Sequence, residues 1–354
     1  MAVAGCGTHA VRVVDRGGGV VATGEVLAEV EWSRVLDDVS TARVVINPSG
    51  DCCGPLGNVR SWRHRLVIYR DDRYVWDGPI TNVDWGVDSV EIFAEDVLAW
   101  LGDRVPHQNL SYRNADLNTI AAELIADGFF PDDPGHDVKI LAPAGVTGSR
   151  AYTRNVGQTL DHLKDLAEAG LDFTAIGSTI LLLPETWSER VGRLTDADFP
   201  DGLKVSEDGK GLVTRVVVAG QQQTATDGTV TDQVIGEAGG IDPYYGLHER
   251  YVEQTSITDT ASATAAAQAI RRSGLTVPVF IDTQEVTISP DTSIDVAQLV
   301  PGWCLDVTST ATCRTVAQRL KIVGLKVSES GGSGTEPGGE SVQVQVAASG
   351  AEAA

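Results

Sequence analysis

Basic side chains are in short supply. The chain's 354 residues hold 27 Lys and Arg against 49 Asp and Glu, a net charge of −22. Duplex binding works by replacing counterions with Lys and Arg, so the chain as a whole is a poor candidate for gripping nucleic acid; the acidity fits either repulsion of it or simple solubility. No run reaches the ~18 apolar residues that a bilayer crossing needs, and no membrane insertion is expected. The opening MAVAGC has the letters of a lipoprotein box, but no charged region and no apolar stretch precede it, which argues against a signal peptide. The five cysteines, Cys6, Cys52, Cys53, Cys304 and Cys313, form no CxxC pair and no interleaved His pattern, which speaks against a zinc site and a disulfide scaffold. Cys304 and Cys313 could meet across a hairpin, although buried free thiols are the expectation.

Catalytic signatures are equally sparse. The six histidines are scattered, and neither HExxH nor GxSxG occurs. Gly17-Gly18-Gly19 precedes a strand pattern and not a helix, so it reads as a turn and not as a phosphate cradle. Sequential carboxylates stand at Asp37-Asp38, Asp71-Asp72 and Asp132-Asp133. Neighbours in a strand point to opposite faces, so none of these is by itself an acid/base pair, and each falls where a turn is predicted. Asp127, Asp132, Asp133 and Asp137 offer several oxygens in one acidic stretch, but their spacing does not match a calcium loop. No catalytic residue, metal or cofactor is assigned.

What is present is β-forming sequence. The 38 glycines and a 42% hydrophobic share suit a turn-rich folded chain long enough for two or three domains. Alternating segments at 11–15, 25–32, 42–47, 65–70, 73–77, 80–84 and 89–94 predict an antiparallel barrel or sandwich, followed by a short helix over 94–101. The period then changes. Leu117, Ile120, Ala121, Leu124 and Ile125 share one helical face, with Asn114 or Asp116 as N-cap and Gly128 beyond the end. Val156, Leu160, Leu163 and Ala167 repeat the pattern, and LDFTAIGSTILLLPE predicts a hairpin turning at Gly177-Ser178. From about residue 202 strands return, with an Ala-rich helix between Asp259 and Ser273, exposed loops at QQQTATDGTVTDQ and ESGGSGTEPGGE, and a frayed tail over 348–354.

The run WRHRLVIYRDDRYVWDGPI, residues 62–80, is unusual in wanting company on both faces: Leu66 and Ile68 alternate with Val67 and Tyr69. Arg60, Arg63, Arg65, Arg70 and Arg73 lie along it beside Trp62, Tyr69, Tyr74 and Trp76. Arginine with aromatics fits nucleic acid or a protein interface, and the acidic balance favours the protein. Leu66 and Ile68 are expected in the core, and Arg65, Val67, Tyr69, Tyr74 and Trp76 are the candidate interface residues.

The order WSRVLDDVSTARVVIN, Cys52, WRHRLVIYRDDRYVWDGPI and VEIFAEDVLAWLGDR, then YYGLHERYVEQTSITD with the Ala-rich helix and LVPGWCLDV, resembles phage minor tail proteins of the tail-hub type, especially those of long-tailed phages infecting actinobacteria. The resemblance touches nearly the whole chain. It implies a mainly β fold in which two antiparallel β-barrel hub domains, 1–105 and 202–347, flank a small α+β insert, 106–201, with 348–354 a flexible tail. It further implies a structural, non-enzymatic virion protein at the distal tail tip, a homotrimer whose partners are the distal tail protein, the tail tube and tape measure proteins and other tail-tip proteins. Genome DNA would pass through without specific binding. The rival readings are a tail-associated cell-wall hydrolase, a host-glycan-binding module, and the hexameric distal tail protein.

Overall fold

The computed structural model describes residues 7–24, 27–47, 53–199, 205–207, 209–224, 230–274, 279–281, 286–289, 292, 294–311, 313, 315–331 and 339–352. It is mainly β, with large sheets and few helices. Seven strands come first: β1 (His9–Val14), β2 (Val20–Gly24), β3 (Leu27–Val35), β4 (Thr41–Ile46), β5 (Arg65–Arg70), β6 (Arg73–Trp85) and β7 (Val90–Glu95). The one-turn helices α1 (Cys53–Leu56) and α2 (Ala99–Gly102) sit among and after them. The helix expected from residue 94 starts only at Ala99. Glu95 is still paired to Thr41 in the sheet, and the Asp96 carboxylate then takes the backbone N–H groups of Ser40 and Leu98.

The middle of the chain holds β8 (Leu110–Asp116), α3 (Leu117–Phe129), β9 (Asp137–Ile140), β10 (Thr147–Tyr152), α4 (Thr159–Glu168), β11 (Leu171–Ile176) and β12 (Thr179–Pro184). The Asp116 side chain caps α3 by accepting from Asn118 N, and all five residues of its predicted apolar face are buried. Gly128 lies inside this helix and not beyond it; its missing side chain makes room for Leu101 and Thr159. Helix α4 begins at Thr159, which leaves Val156 outside it and exposed. β11 and β12 form the expected hairpin, turning at Gly177-Ser178, and β9 joins β12 in parallel.

The last part contains β13 (Arg190–Thr195), β14 (Val205–Glu207), β15 (Arg215–Thr224), β16 (Val230–Gly239), β17 (Glu249–Glu253), α5 (Thr260–Gly274), β18 (Val279–Ile281), β19 (Val286–Thr287), β20 (Cys304–Ser309), β21 (Val316–Ser330) and β22 (Gly339–Glu352). Both expected long loops are shorter than the sequence suggested: β15, β16, β21 and β22 run into their ends, and 225–229 and 332–338 lie outside the described residues. β22 also enters the segment expected to be a tail, pairing Glu352 with Gln318. Cys304 is a buried free thiol opposite Lys321, and Cys313 is free and exposed, so these two do not face each other. The other three cysteines' side chains lie outside the described set.

β1–β7 share a twelve-stranded sheet with strands from the far end of the chain, in the order β13-β20-β21-β3-β4-β7-β6-β5-β1-β2, with β22 paired to β21 and β19. One edge of β21 carries β22; the other carries β20 along its first half and β3 along its second. The sheet curls on itself. Four strands separate β1 from β3 in this order, yet the Trp32 indole of β3 donates to His9 Nε2 of β1 at 3.0 Å, and His9 Nδ1 lies 2.7 Å from Glu329 of β21. Inside the curl one core unites Trp32, Leu66, Ile68 and Ile92 with Leu305, Ile322 and Val344. A second core packs α3, α4 and the β11–β12 hairpin with Val216, Val218, Ala263 and Ala267 from β15 and α5.

The beginning and end of the sheet are also tied by charge. Arg70 makes a forked pair with Glu340, Nε to Oε1 at 2.5 Å and Nη2 to Oε2 at 2.7 Å, and both side chains are buried. A forked pair holds geometry as well as charge. Glu340→Ala removes the forked partner and leaves the Arg70 guanidinium with Asp71 at 3.3 Å, so it is expected to cost about 1–3 kcal/mol in denaturant unfolding. A loss within experimental error would show that the pair does not hold the sheet.

Candidate functional site: the two-sided hairpin

The β5–β6 hairpin turns at Asp71-Asp72, and both residues have positive φ, 49° and 62°. A two-residue turn with positive φ at both positions matches the right-handed twist of the strands, and Asp tolerates it better than most residues. Asp71 also accepts from the Thr8 backbone and hydroxyl, so this carboxylate fastens the turn to the chain's beginning.

The inward face is as expected, with Leu66 and Ile68 fully buried in the first core. Trp76, a candidate for the outward face, lies in that core too. The reason is a register shift: Ile68 pairs with Trp76 but Tyr69 pairs with Tyr74, which leaves Val75 as an extra residue. Such a bulge breaks the two-residue alternation, and here it turns both Val75 and Trp76 inward.

The other four candidates lie away from the core, where the same chain already meets several of them. Val67 is buried between Arg12 and Asp77 of the adjoining strands. Arg65 forms a forked pair with Asp77, which is itself buried. Tyr74 reaches the turn of β11–β12: a side-chain carbon on Gly177 would overlap the Tyr74 hydroxyl. Burial and the nearby Asp77 charge hold that phenol well above its ordinary range. Tyr69 is half-buried, edge-on to Tyr74 at 6.3 Å and beneath the Arg12 guanidinium at 4.9 Å. Arg65, Asp77 and Gly78 line a narrow cleft with Val97, Trp100 and Ser178. The sequence marks Gly177 as a turn but gives no sign that it meets Tyr74, and it does not mark Gly78 or Asp77 as part of this contact, although the Gly-Pro break in a strand-forming run is a signal. A side chain on Gly78 would strike the Glu95 carbonyl, so β6 can pass over the Asp96 turn only with glycine there.

The remaining chemical candidates are occupied in building. Asp37 has positive φ, accepts from Phe173 N and donates its own N–H to Phe173 O, which clips the β3–β4 turn to β11. Burial, with Asp172 nearby, pushes its carboxyl well above the usual range. Asp172 is paired with Lys321 of β21 at 2.6 Å, while Asp38 points outward to Lys164. The acidic stretch disperses: Asp127 accepts from His107 N, Asp132 binds Arg16 and Arg104, and Asp133 binds His136. No metal-binding group of three or more such side chains occurs among the described residues. Gly17 and Gly19 donate to Asp15 in the β1–β2 turn, as the glycine run predicted.

No protein-family description matches this sequence, and no curated protein does. Solved structures match along nearly its whole length. A tail protein from Neisseria meningitidis superposes with a TM-score of 0.63 at 14% identity over 96% of each chain. A prophage tail protein from Shewanella oneidensis gives 0.61 at 11% identity over 96% of this chain and 98% of that one. An Escherichia coli component of the type VI secretion system, itself described as similar to bacteriophage T4 tail proteins, gives 0.50 at 12% over 91% and 73%. At these identities the likeness is one of fold: the chain has the fold of phage tail proteins.

The Asp96 turn on which the hairpin rests carries a pH signature. Burial raises this carboxyl to about 7, against the ~4 of an unfolded aspartate. A raised acid contributes stability that is complete below the unfolded value and is lost as pH climbs through the folded one. The stability difference between the protein and its Asp96→Asn variant is therefore expected to shift against the wild type from pH 4 to pH 7. Denaturant midpoints at several pH values measure it, and a flat difference would contradict a buried, protonatable Asp96.

Proposed function

We propose that this chain is a structural subunit of a phage tail, and that three copies close a ring at the distal end of the tube, between tube and distal tail protein on one side and the tip on the other. The observation that carries the reading is the likeness of fold to tail proteins over 96% of this chain and at least as much of theirs. In this reading β1–β7 make a first barrel and β13 with β19–β22 a second, the β3–β21 pairing joins the two side by side, and the α+β insert decorates them. Three such pairs give six similar units, a geometry that fits sixfold symmetry above and threefold symmetry below. The net charge of −22 suits a channel wall, because a surplus of carboxylates repels passing DNA phosphates. The protein acts as geometry and not as catalyst, within the virion and together with tape measure and tip proteins.

Tyr69 and the open side of Tyr74 are the hairpin's remaining contact points for a neighbour. Mass photometry of the purified protein is expected to show three copies; six would favour the hexameric distal ring. Tyr69→Asp is expected to lower the assembled fraction while leaving the melting temperature of the monomer nearly unchanged. Normal assembly of that variant would remove Tyr69 from the interface.

A further inference from the structure

Of the five arginines along the hairpin run, three are spent inside the molecule. Arg65, Arg70 and Arg73 pair with Asp77, Glu340 and Asp295. Arg60 and Arg63 differ. Both are exposed, and neither has a carboxylate partner among the described residues; the Arg60 guanidinium donates to the carbonyls of Gly57 and Val59. They border two adjoining depressions that share Arg63, one walled by Val21, Asn58 and His64, the other by Asp15 and Arg16 of the β1–β2 turn. Burial, then the Arg63 and Arg60 charges, hold the His64 imidazole below its usual range, with Asp15 acting against them. At the rim stands Trp62, exposed, with φ at 59°. A bulky side chain in the left-handed region is strained, and strain of this kind collects at working surfaces.

The β6–β7 hairpin ends in the opposite chemistry. Asp84, Trp85, Gly86, Val87 and Asp88 are five consecutive exposed residues, with Val87 97% exposed and Trp85 53%. Neither aspartate has an ion-pair partner among the described residues. The tip is held rigidly by the Trp85–Val90 pairing and the Gly86 N to Ser89 O bond of 2.8 Å. It cannot fill its own groove. Ile80 of β6 clamps the groove loop through Trp62 N and His64 O, and Asp84 lies four residues further along the same strand, about 13 Å away at ~3.3 Å per residue.

We propose that the Asp84–Asp88 tip of one copy seats in the Arg60–Arg63 groove of a second copy. The inference rests on the ring proposed above and names its contact. Asp84 and Asp88 meet the two guanidinium groups, while Trp85 and Val87 cover Val20, Val21 and Trp62. Two chains of net charge −22 repel each other at large, so a contact between copies needs a local reversal of sign, and this groove supplies one. Groove and tip are different surfaces of one chain, which makes the contact head-to-tail, and a head-to-tail contact closes into a ring when its rotation allows.

Charge exchange on the full chain tests this. Arg60→Glu with Arg63→Glu, and separately Asp84→Arg with Asp88→Arg, are each expected to weaken association about ten-fold or more, read by mass photometry across a dilution series. All four changes in one chain restore the pairing with signs exchanged and are expected to recover assembly. All sites are exposed, and melting curves check that each variant folds. Folded double variants that assemble like wild type would overturn the docking, as would a folded quadruple variant that stays apart. So would a groove variant that assembles normally yet loses duplex DNA binding or incorporation into tails, since the groove would then serve another partner. Wild-type protein that is monomeric sinks the ring itself, whereas trimeric wild type with unaffected variants sinks only this contact.

Discussion

β3 and β21 come from opposite ends of the chain, and their seven antiparallel residue pairs, from Glu29–Ser330 to Val35–Gly324, make one sheet out of two separate stretches of strands. The remaining architecture follows from that seam. β21 can hold β3 only because β20 leaves its edge at Lys321, where the register of β21 against β22 also shifts around Ile322 and Gly324. The core inside the sheet is then built jointly, so neither stretch buries its apolar face alone. The Arg70–Glu340 pair joins groups 270 residues apart and ties the same two stretches of chain together a second time. Pairings of such sequence separation carry a high loop-closure cost, which makes slow folding the expectation for this sheet.

The same seam decides what the two-sided hairpin is for. One face belongs to the joint core, and the bulge at Val75 commits Trp76 to it. Part of the other face belongs to the β11–β12 hairpin, which reaches Tyr74 through a turn that has glycine where a side chain would collide. β11 is in turn clipped to the end of β3 through Asp37 and to β21 through Lys321, which flank the seam. The hairpin's apparent surplus of apolar residues is therefore largely consumed within one chain, which leaves the neighbouring loops as the more exposed surface.

Local physics was readable from the residues. Helix α3 announced its buried face by 3.6-residue spacing and its start as Asn114 or Asp116, of which Asp116 is the cap; Asp37-Asp38 and Asp71-Asp72 announced turns, and Gly177-Ser178 announced the β11–β12 reversal. Effects that depend on partners far away in sequence were not. Trp76 looked outward because alternation is counted from the nearest residues, and a bulge is visible only once the opposite strand is known. Helix α2 looked longer because nothing nearby reveals that Glu95 will be held by Thr41 or that Asp96 will gather Ser40 and Leu98. The pairing of β3 with β21 had no local sign at all.

The arginines carry the argument from fold to assembly. In a chain so rich in acid, the buried or half-buried guanidinium groups of Arg70 and Arg65 find carboxylates 270 and 12 residues away, and even the exposed Arg73 lies 3.4 Å from Asp295, 222 residues away. Sequence proximity had grouped these with Arg60 and Arg63 as one basic stripe. Folding separates them into charges that have been neutralised and charges that have not, and only the second kind can still select a neighbour. Charge in this molecule thus has two scales: a net surplus of carboxylates over the whole chain, and beside the hairpin a small groove where the unpaired Arg60 and Arg63 outnumber Asp15, which is where the proposed contact between copies would find opposite charge.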